Sequence, residues 1–230
     1  MDHAERAERF VASTYPHAEI AIVAGSTARE ERTATSDIDL LLIGASLFGQ
    51  VPQSGEAATH EFEGEIFEVF AYTPQGFEEW ADRGVTQQRP VIAHMLVEGV
   101  AIRENAAFDA LRSRWSDILA AGPLLDVTES RLRRYMITDL LDDLRDATDV
   151  LEQRVIAGTL FERIAELMLL DGGRWVATGK WLPRRLRDLS QERADLLSTP
   201  LLADDLAGFA DRVEAELERA GGRVQAGFVR

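Results

Sequence analysis

The 230-residue chain has no cysteine, which excludes disulfides and thiolate metal sites and leaves oxygen and imidazole as the available metal ligands. Its four histidines, at 3, 17, 60 and 94, show no ligand spacing, so zinc is not expected. Long apolar runs are missing: the stretch Leu40 to Ile43 falls far short of the roughly 20 residues that cross a bilayer, and no membrane is expected. The opening Met1-Asp2-His3-Ala4-Glu5-Arg6 lacks a basic segment followed by an apolar one, and a cytoplasmic protein is the expectation. Positive charge is scarce, with a formal net charge of −15 that disfavours a broad nucleic-acid surface and would attract cationic small molecules. Lysine is nearly absent. Of 25 basic residues only Lys180 is a lysine, the one ammonium point charge in an arginine-rich chain.

What is present is an ordinary globular composition, 46% hydrophobic and 28% charged, long enough for one large or two small domains. Apolar spacing predicts a helix over residues 3–14, with Ala7, Phe10 and Val11 on one face. Compact β-branched and apolar runs predict strands at Ile20 to Ala24, Asp37 to Ile43, Glu65 to Thr73 and Gly99 to Arg103. Helices are expected at Gln75 to Arg83, Arg89 to Glu98 with Pro90 in the first turn, and Ala106 to Leu119. Strands interleaved with helices predict an α/β layer. After Ala121-Gly122-Pro123 the strand signal fades. Thr128 to Gln153, about 155 to 170, and 202 to 220 predict helices, with a connector at 172–183 and a disordered end over Gly221 to Arg230.

The chemistry-bearing residues lie in the first half. Alternate residues of a strand share a face, so Asp37 and Asp39 project together, flanked by the apolar Ile38 and Leu40 to Ile43. Two carboxylates in such a setting are costly unless a cation neutralises them, and oxygen ligands completed by water and phosphate suit Mg²⁺. Glu68, between Phe67 and Val69 in a later strand, repeats the pattern. Three acids on adjacent strands could hold two ions about 3.5–4 Å apart, a clamp for phosphoryl displacement. Gly25-Ser26, where a strand turns into a helix, offers free backbone N–H groups, close approach and a hydroxyl to a triphosphate.

Ala24-Gly25-Ser26-Thr27-Ala28-Arg29 followed by Ser36-Asp37-Ile38-Asp39-Leu40-Leu41 resembles the signature of the DNA polymerase beta-like nucleotidyltransferase superfamily. Within it, the chain looks most like the antibiotic nucleotidyltransferases of the kanamycin and streptomycin/spectinomycin types, over residues 20 to 73. The resemblance implies an α/β catalytic domain over residues 1–122, a short mixed sheet flanked by helices, joined to an all-α helical bundle over 123–230 that closes on substrate and nucleotide. It implies that Gly25 and Ser26 hold the triphosphate of an NTP, ATP being the common donor, and that Asp37 and Asp39 bind two Mg²⁺ ions. Glu68 matches the glutamate that activates the acceptor hydroxyl in the streptomycin type, and is assigned general base first and metal ligand second.

In the second half, Gly179-Lys180-Trp181-Leu182-Pro183-Arg184-Arg185 is a basic cluster beside an aromatic, but Trp181 stands where a P-loop needs Ser or Thr. Lys180 and Arg184 are the candidate cations for the triphosphate, the alternative being a surface patch that balances nearby acids. Lys180 also resembles a lysine that kanamycin-type helical domains contribute. Asp139, Asp142, Asp143 and Asp146 form an acidic stripe at helical spacing. It is a solvated face, or, where it lines a cleft, Asp139 and Asp143 are the candidates to bind a cationic acceptor. The expected partners are an NTP and a small-molecule acceptor, on a monomer or homodimer. A toxin–antitoxin-type enzyme modifying RNA or protein is the alternative, opposed by the acidic charge and by a helical half without histidine; a non-catalytic nucleotide-binding module is a third reading.

Overall fold

A computed structural model describes residues 3–29, 31–33, 36–49 and 51–226. The chain divides into two units, Met1–Ala121 and Gly122–Arg230.

In the first unit, α1 (His3–Thr14) buries Ala7, Phe10 and Val11, the stripe that its helical spacing predicts. It is followed by β1 (Ile20–Ala24), buried at every position, and by α2 (Gly25–Ala28), a single helical turn. β2 (Ile38–Ile43) begins one residue later than expected, so Asp37 precedes the strand. β3 (Gly55–Phe62) and β4 (Glu65–Tyr72) form a hairpin closed by Glu63 and Gly64 at φ 50° and 75°. Two consecutive left-handed residues match the twist of paired strands. β3 is absent from the sequence expectation because its Gly, Ala and Glu residues are poor strand formers; its pairing with β4 supplies what propensity lacks.

α3 (Pro74–Thr86) starts with proline at its first turn, and the Thr73 side chain accepts from the Gly76 N–H. α4 (Val91–Glu98) starts after Pro90 rather than including it. β5 (Val100–Arg103) and α5 (Phe108–Ala121) complete the unit. The strand order is β3-β4-β2-β1-β5, with β2 and β4 parallel and the other pairs antiparallel. One face packs Val23, Ile38, Leu40, Phe67 and Val69 against Phe10 and Val11 of α1. The other packs Ile22, Leu41, Ile43 and Tyr72 against Phe77, Leu96 and Trp115 from α3, α4 and α5. β1 and β2 are sealed on both faces, which is why they read as continuous apolar runs.

Among the described residues, the regular elements of the second unit are all helices. The single helix expected over Thr128 to Gln153 is two, α6 (Val127–Asp146) and α7 (Val150–Asp171). The break falls where the Asp149 carboxylate accepts from the N–H groups of Leu151 and Glu152, a cap that starts a new helix. The connector is shorter than expected, because α8 (Trp181–Leu189) already begins at Trp181. α9 (Gln191–Leu202), capped by Ser190, was not anticipated, and Pro200 sits in its last turn. α10 (Leu206–Arg219) follows a cap at Asp205. Leu141, Leu160, Ile164, Leu186, Leu197, Phe209 and Leu217 fill the core. The segment after α10, expected to be disordered, is held through residue 225. Arg134 donates to the carbonyls of Gly221 and Gly222, Arg223 reaches Asp142 at 2.5 Å, and Gln225 reaches the same carboxylate. The rest of that expectation, residues 227–230, lies outside the described residues. No helix among the described residues is long and apolar enough to cross a membrane.

Trp115 is fully buried edge-on to Phe77 with ring centroids 5.8 Å apart, and its indole N–H has no hydrogen-bond partner among the described residues. Trp115→Ala is expected to cost about 3–5 kcal/mol. Trp115→Phe should cost much less, because it removes a buried donor that nothing satisfies. Chemical denaturation of the two variants checks the order.

Candidate active site

The site is built by strand register. Ala24 of β1 pairs with Asp39 of β2, Asp39 with Glu68 of β4, and Glu68 with Thr59 of β3. These four residues form one row across the sheet at the end where β2 and β4 both begin. Asp39 and Glu68 share the parity of Leu41 and Tyr72 and emerge on the face that α3, α4 and α5 cover farther along. Thr59 is exposed beside Glu68, on a strand whose weak strand formers conceal its place in the row.

Gly25 closes the row. Its φ is +64°, a conformation that glycine adopts at little cost, and an added Cβ would overlap Asp39 Oδ2 and lie 2.7 Å from its Cγ. The Asp39 carboxylate therefore lies directly against the backbone at the start of α2. Ser26 is buried. The first N–H groups of this turn have no intrahelical acceptor, as at any helix start.

The carboxylates crowd one another. Glu68 as a residue is exposed, yet its carboxyl end is partly desolvated, and this is the largest cause of a pKa raised above the ordinary glutamate value. The negative charge of Asp39, a hydrogen bond shared with Asp39 and the charge of Asp37 raise it further. Asp37 is exposed ahead of β2, and its carbonyl accepts from the Thr27 hydroxyl at 3.5 Å. Asp39 and Glu68 are thus brought into contact, while Asp37 acts on Glu68 through charge.

Among the described residues no group of three His, Cys, Asp or Glu side chains forms a ready-made metal cage. An all-carboxylate pair still fits Mg²⁺, which commonly takes one or two protein carboxylates and fills the rest of its octahedron with water and substrate phosphates. The close approach of the Asp39 carboxylate to the Gly25 backbone and the mutual repulsion at Glu68 are the two features that suit a cation.

The remaining candidates belong to the second unit. Lys180 immediately precedes α8 with its Nζ 5.9 Å from the Trp181 ring centroid, and the Arg184 guanidinium lies 4.6 Å from the same ring. Both basic residues are exposed around one indole. Asp139 and Asp143 are exposed one turn apart on α6, whereas Asp142 of the same stripe is committed to Arg223.

Linkage fixes how the crowding affects stability. A carboxyl whose folded-state pKa is raised favours the native state below its ordinary pKa, and that contribution is lost as pH rises through the raised value. In metal-free protein held with chelator, Glu68→Gln is expected to melt at a higher temperature than the parent near neutral pH. The gain should vanish as pH falls into the ordinary glutamate range; identical melting curves at both pH values would rule out the crowding. Gly25→Ala should destabilise by more than about 1 kcal/mol in denaturant titrations, from the left-handed backbone and the displaced Asp39.

No protein-family profile matches the sequence, and no curated protein matches it. Among solved structures, the chain is similar to the crystal structure of a nucleotidyltransferase-like protein from Exiguobacterium sibiricum 255-15. The two are 16% identical, with a TM-score of 0.48 over 94% of this chain and 74% of that one.

Proposed function

We propose that the chain is a magnesium-dependent nucleotidyltransferase that moves a nucleoside monophosphate, AMP in the first instance, from an NTP to a hydroxyl of a small cationic acceptor such as an aminoglycoside. The observation that carries the reading is the side-by-side pairing of Asp39 and Glu68 with the Asp39 carboxylate seated against Gly25. A pure binding module has no use for two repelling acids set side by side, whereas phosphoryl transfer does.

In this reading Asp37 and Asp39 hold the metal, and Glu68 serves as general base and as a further ligand. When bound, Mg²⁺ supplies charge neutralisation at the phosphates and at the departing pyrophosphate. The backbone at Gly25 and the Ser26 hydroxyl receive the triphosphate. Glu68 takes the proton of the acceptor hydroxyl as its oxygen forms a bond to the α-phosphorus; the bond from that phosphorus to the bridging oxygen breaks, and pyrophosphate leaves with the electron pair. A pKa raised by desolvation and by neighbouring carboxylates makes Glu68 a stronger base than a free glutamate. Lys180 and Arg184 are assigned to the triphosphate on the strength of their charge, and Asp139 and Asp143 to a cationic acceptor.

The test is incubation with ATP, Mg²⁺ and a panel of aminoglycosides and other hydroxylated amines, read by acceptor mass and pyrophosphate release. An acceptor gaining the mass of AMP is the expected result. Asp39→Ala should lose more than about a hundredfold in turnover, and chelator should abolish it. Glu68→Gln should lower kcat more than KM for ATP, and Lys180→Ala should raise that KM. Pyrophosphate release that survives Asp39→Ala would defeat the assignment.

A further inference from the structure

The ladder between β2 and β4 begins at Ile38 and Phe67, so Asp37 lies outside it and no strand pairing fixes its position. Its own direct tether is a 3.5 Å hydrogen bond from Thr27, at the long limit for such a contact. The residue just before it is held much more firmly. Ser36 donates its N–H to the Thr33 carbonyl at 3.1 Å, its hydroxyl accepts from the Thr33 N–H at 3.0 Å, and the two hydroxyls lie 2.9 Å apart. Onto this turn Arg32 adds a hydrogen bond from Nη2 to the Ser36 carbonyl at 2.7 Å.

The same Nη2 donates to Glu65 Oε2 at 2.5 Å, and the other oxygen of Glu65 accepts from Arg6 of α1 at 2.5 Å. Glu65 opens β4, three residues before Glu68, and shares the parity of Phe67 and Val69 on the face that α1 covers. One guanidinium therefore joins the entry points of two parallel strands from behind, on the face opposite Asp39 and Glu68. The Arg32 Nε is buried with no hydrogen-bond partner among the described residues, and Nη1 lies 3.2 Å from His3 Nδ1, so the two Nη groups account for its hold. A buried donor left unsatisfied is costly, and it persists here where the other end of the same group is tightly engaged.

We propose that Arg32 is a positioning residue: by joining the Ser36 carbonyl to Glu65, it fixes Asp37 on one strand relative to Glu68 on the next and so sets the spacing at which a divalent cation is taken up. The proposal rests on the reading of Asp37 and Asp39 as metal-binding residues. Arg32 touches neither substrate nor metal in this arrangement and acts through backbone placement. The strength of the effect should match that of outer-shell partners of metal ligands, about 10- to 100-fold in affinity.

The experiment is titration of the full chain with Mn²⁺ in the presence of α,β-methylene-ATP, followed by electron paramagnetic resonance, with denaturation curves run alongside. Arg32→Ala is expected to weaken Mn²⁺ binding about 10- to 100-fold, Glu65→Gln to do the same, and the double variant to be no worse than the weaker single, since both remove one contact. Arg32→Lys should recover part of the affinity by meeting either the Ser36 carbonyl or Glu65. Arg9→Ala removes an ion pair to Glu63, 2.6 Å on the exposed side of the same helix, and should leave Mn²⁺ affinity unchanged. Should Arg32→Ala fail to fold, Arg32→Lys and Glu65→Gln carry the same comparison. Parent-like affinity in the Arg32 and Glu65 variants, or an equal loss in Arg9→Ala, would overturn the positioning role alone. No Mn²⁺ binding by the parent chain would overturn the proposed function together with it.

Discussion

The Asp39 carboxylate lies against a backbone that has no side chain and beside a second carboxylate on the next strand. The glycine and the strand register around it accommodate this placement. Gly25 must be glycine both for its left-handed φ and for the room it leaves, and β1 must end at Ala24 for that glycine to lie against the Asp39 carboxylate. Slipping the β2–β4 register by one residue would send Glu68 to the α1 face and bring Phe67 or Val69 beside Asp39. Such a slip would also drive core side chains out of both hydrophobic layers, so the packing that stabilises the sheet is the same packing that holds the acids together.

That coupling explains how repelling groups persist. β1 and β2 are buried on both faces, and the apolar area they remove from water offsets the electrostatic cost at one end of the row. The two faces also divide the labour. The face under α3, α4 and α5 carries the acids, while the face under α1 carries Arg6, Arg32 and Glu65, whose contacts tie the strand entries from behind. The second unit spends its arginines differently. Arg133 and Arg163 partner the buried Glu166, and Arg193 partners the buried Glu216, so these charges serve the core of the bundle. Lys180 and Arg184 instead lie around the Trp181 indole.

Where local pattern and tertiary setting agree, the sequence was legible. α1, β1 and β4 fall at or within a residue of their expected bounds, because each carries a strong period or a continuous apolar run. The change from mixed to helical structure among the described residues was legible for the same reason. The misses have physical causes as well. β3 is built of weak strand formers and exists because β4 offers it an edge. The α6–α7 break rests on one capping aspartate, which a run of helical spacing on either side conceals. The anchoring of residues 221–225 depends on Arg134, Asp142 and Thr138, all more than eighty positions away.

By itself, then, the sequence determined the residue types of the acidic row, the strands that bear them and the glycine at their edge, because side-chain alternation and φ preference are local properties of the chain. Tertiary structure alone decided that Asp39 faces Glu68 while Asp37 stands outside the ladder, that Thr59 joins the row, and that Arg32 binds Glu65 across the strand entries. Those outcomes depend on register and on contacts between residues as many as 33 apart, which no local pattern encodes.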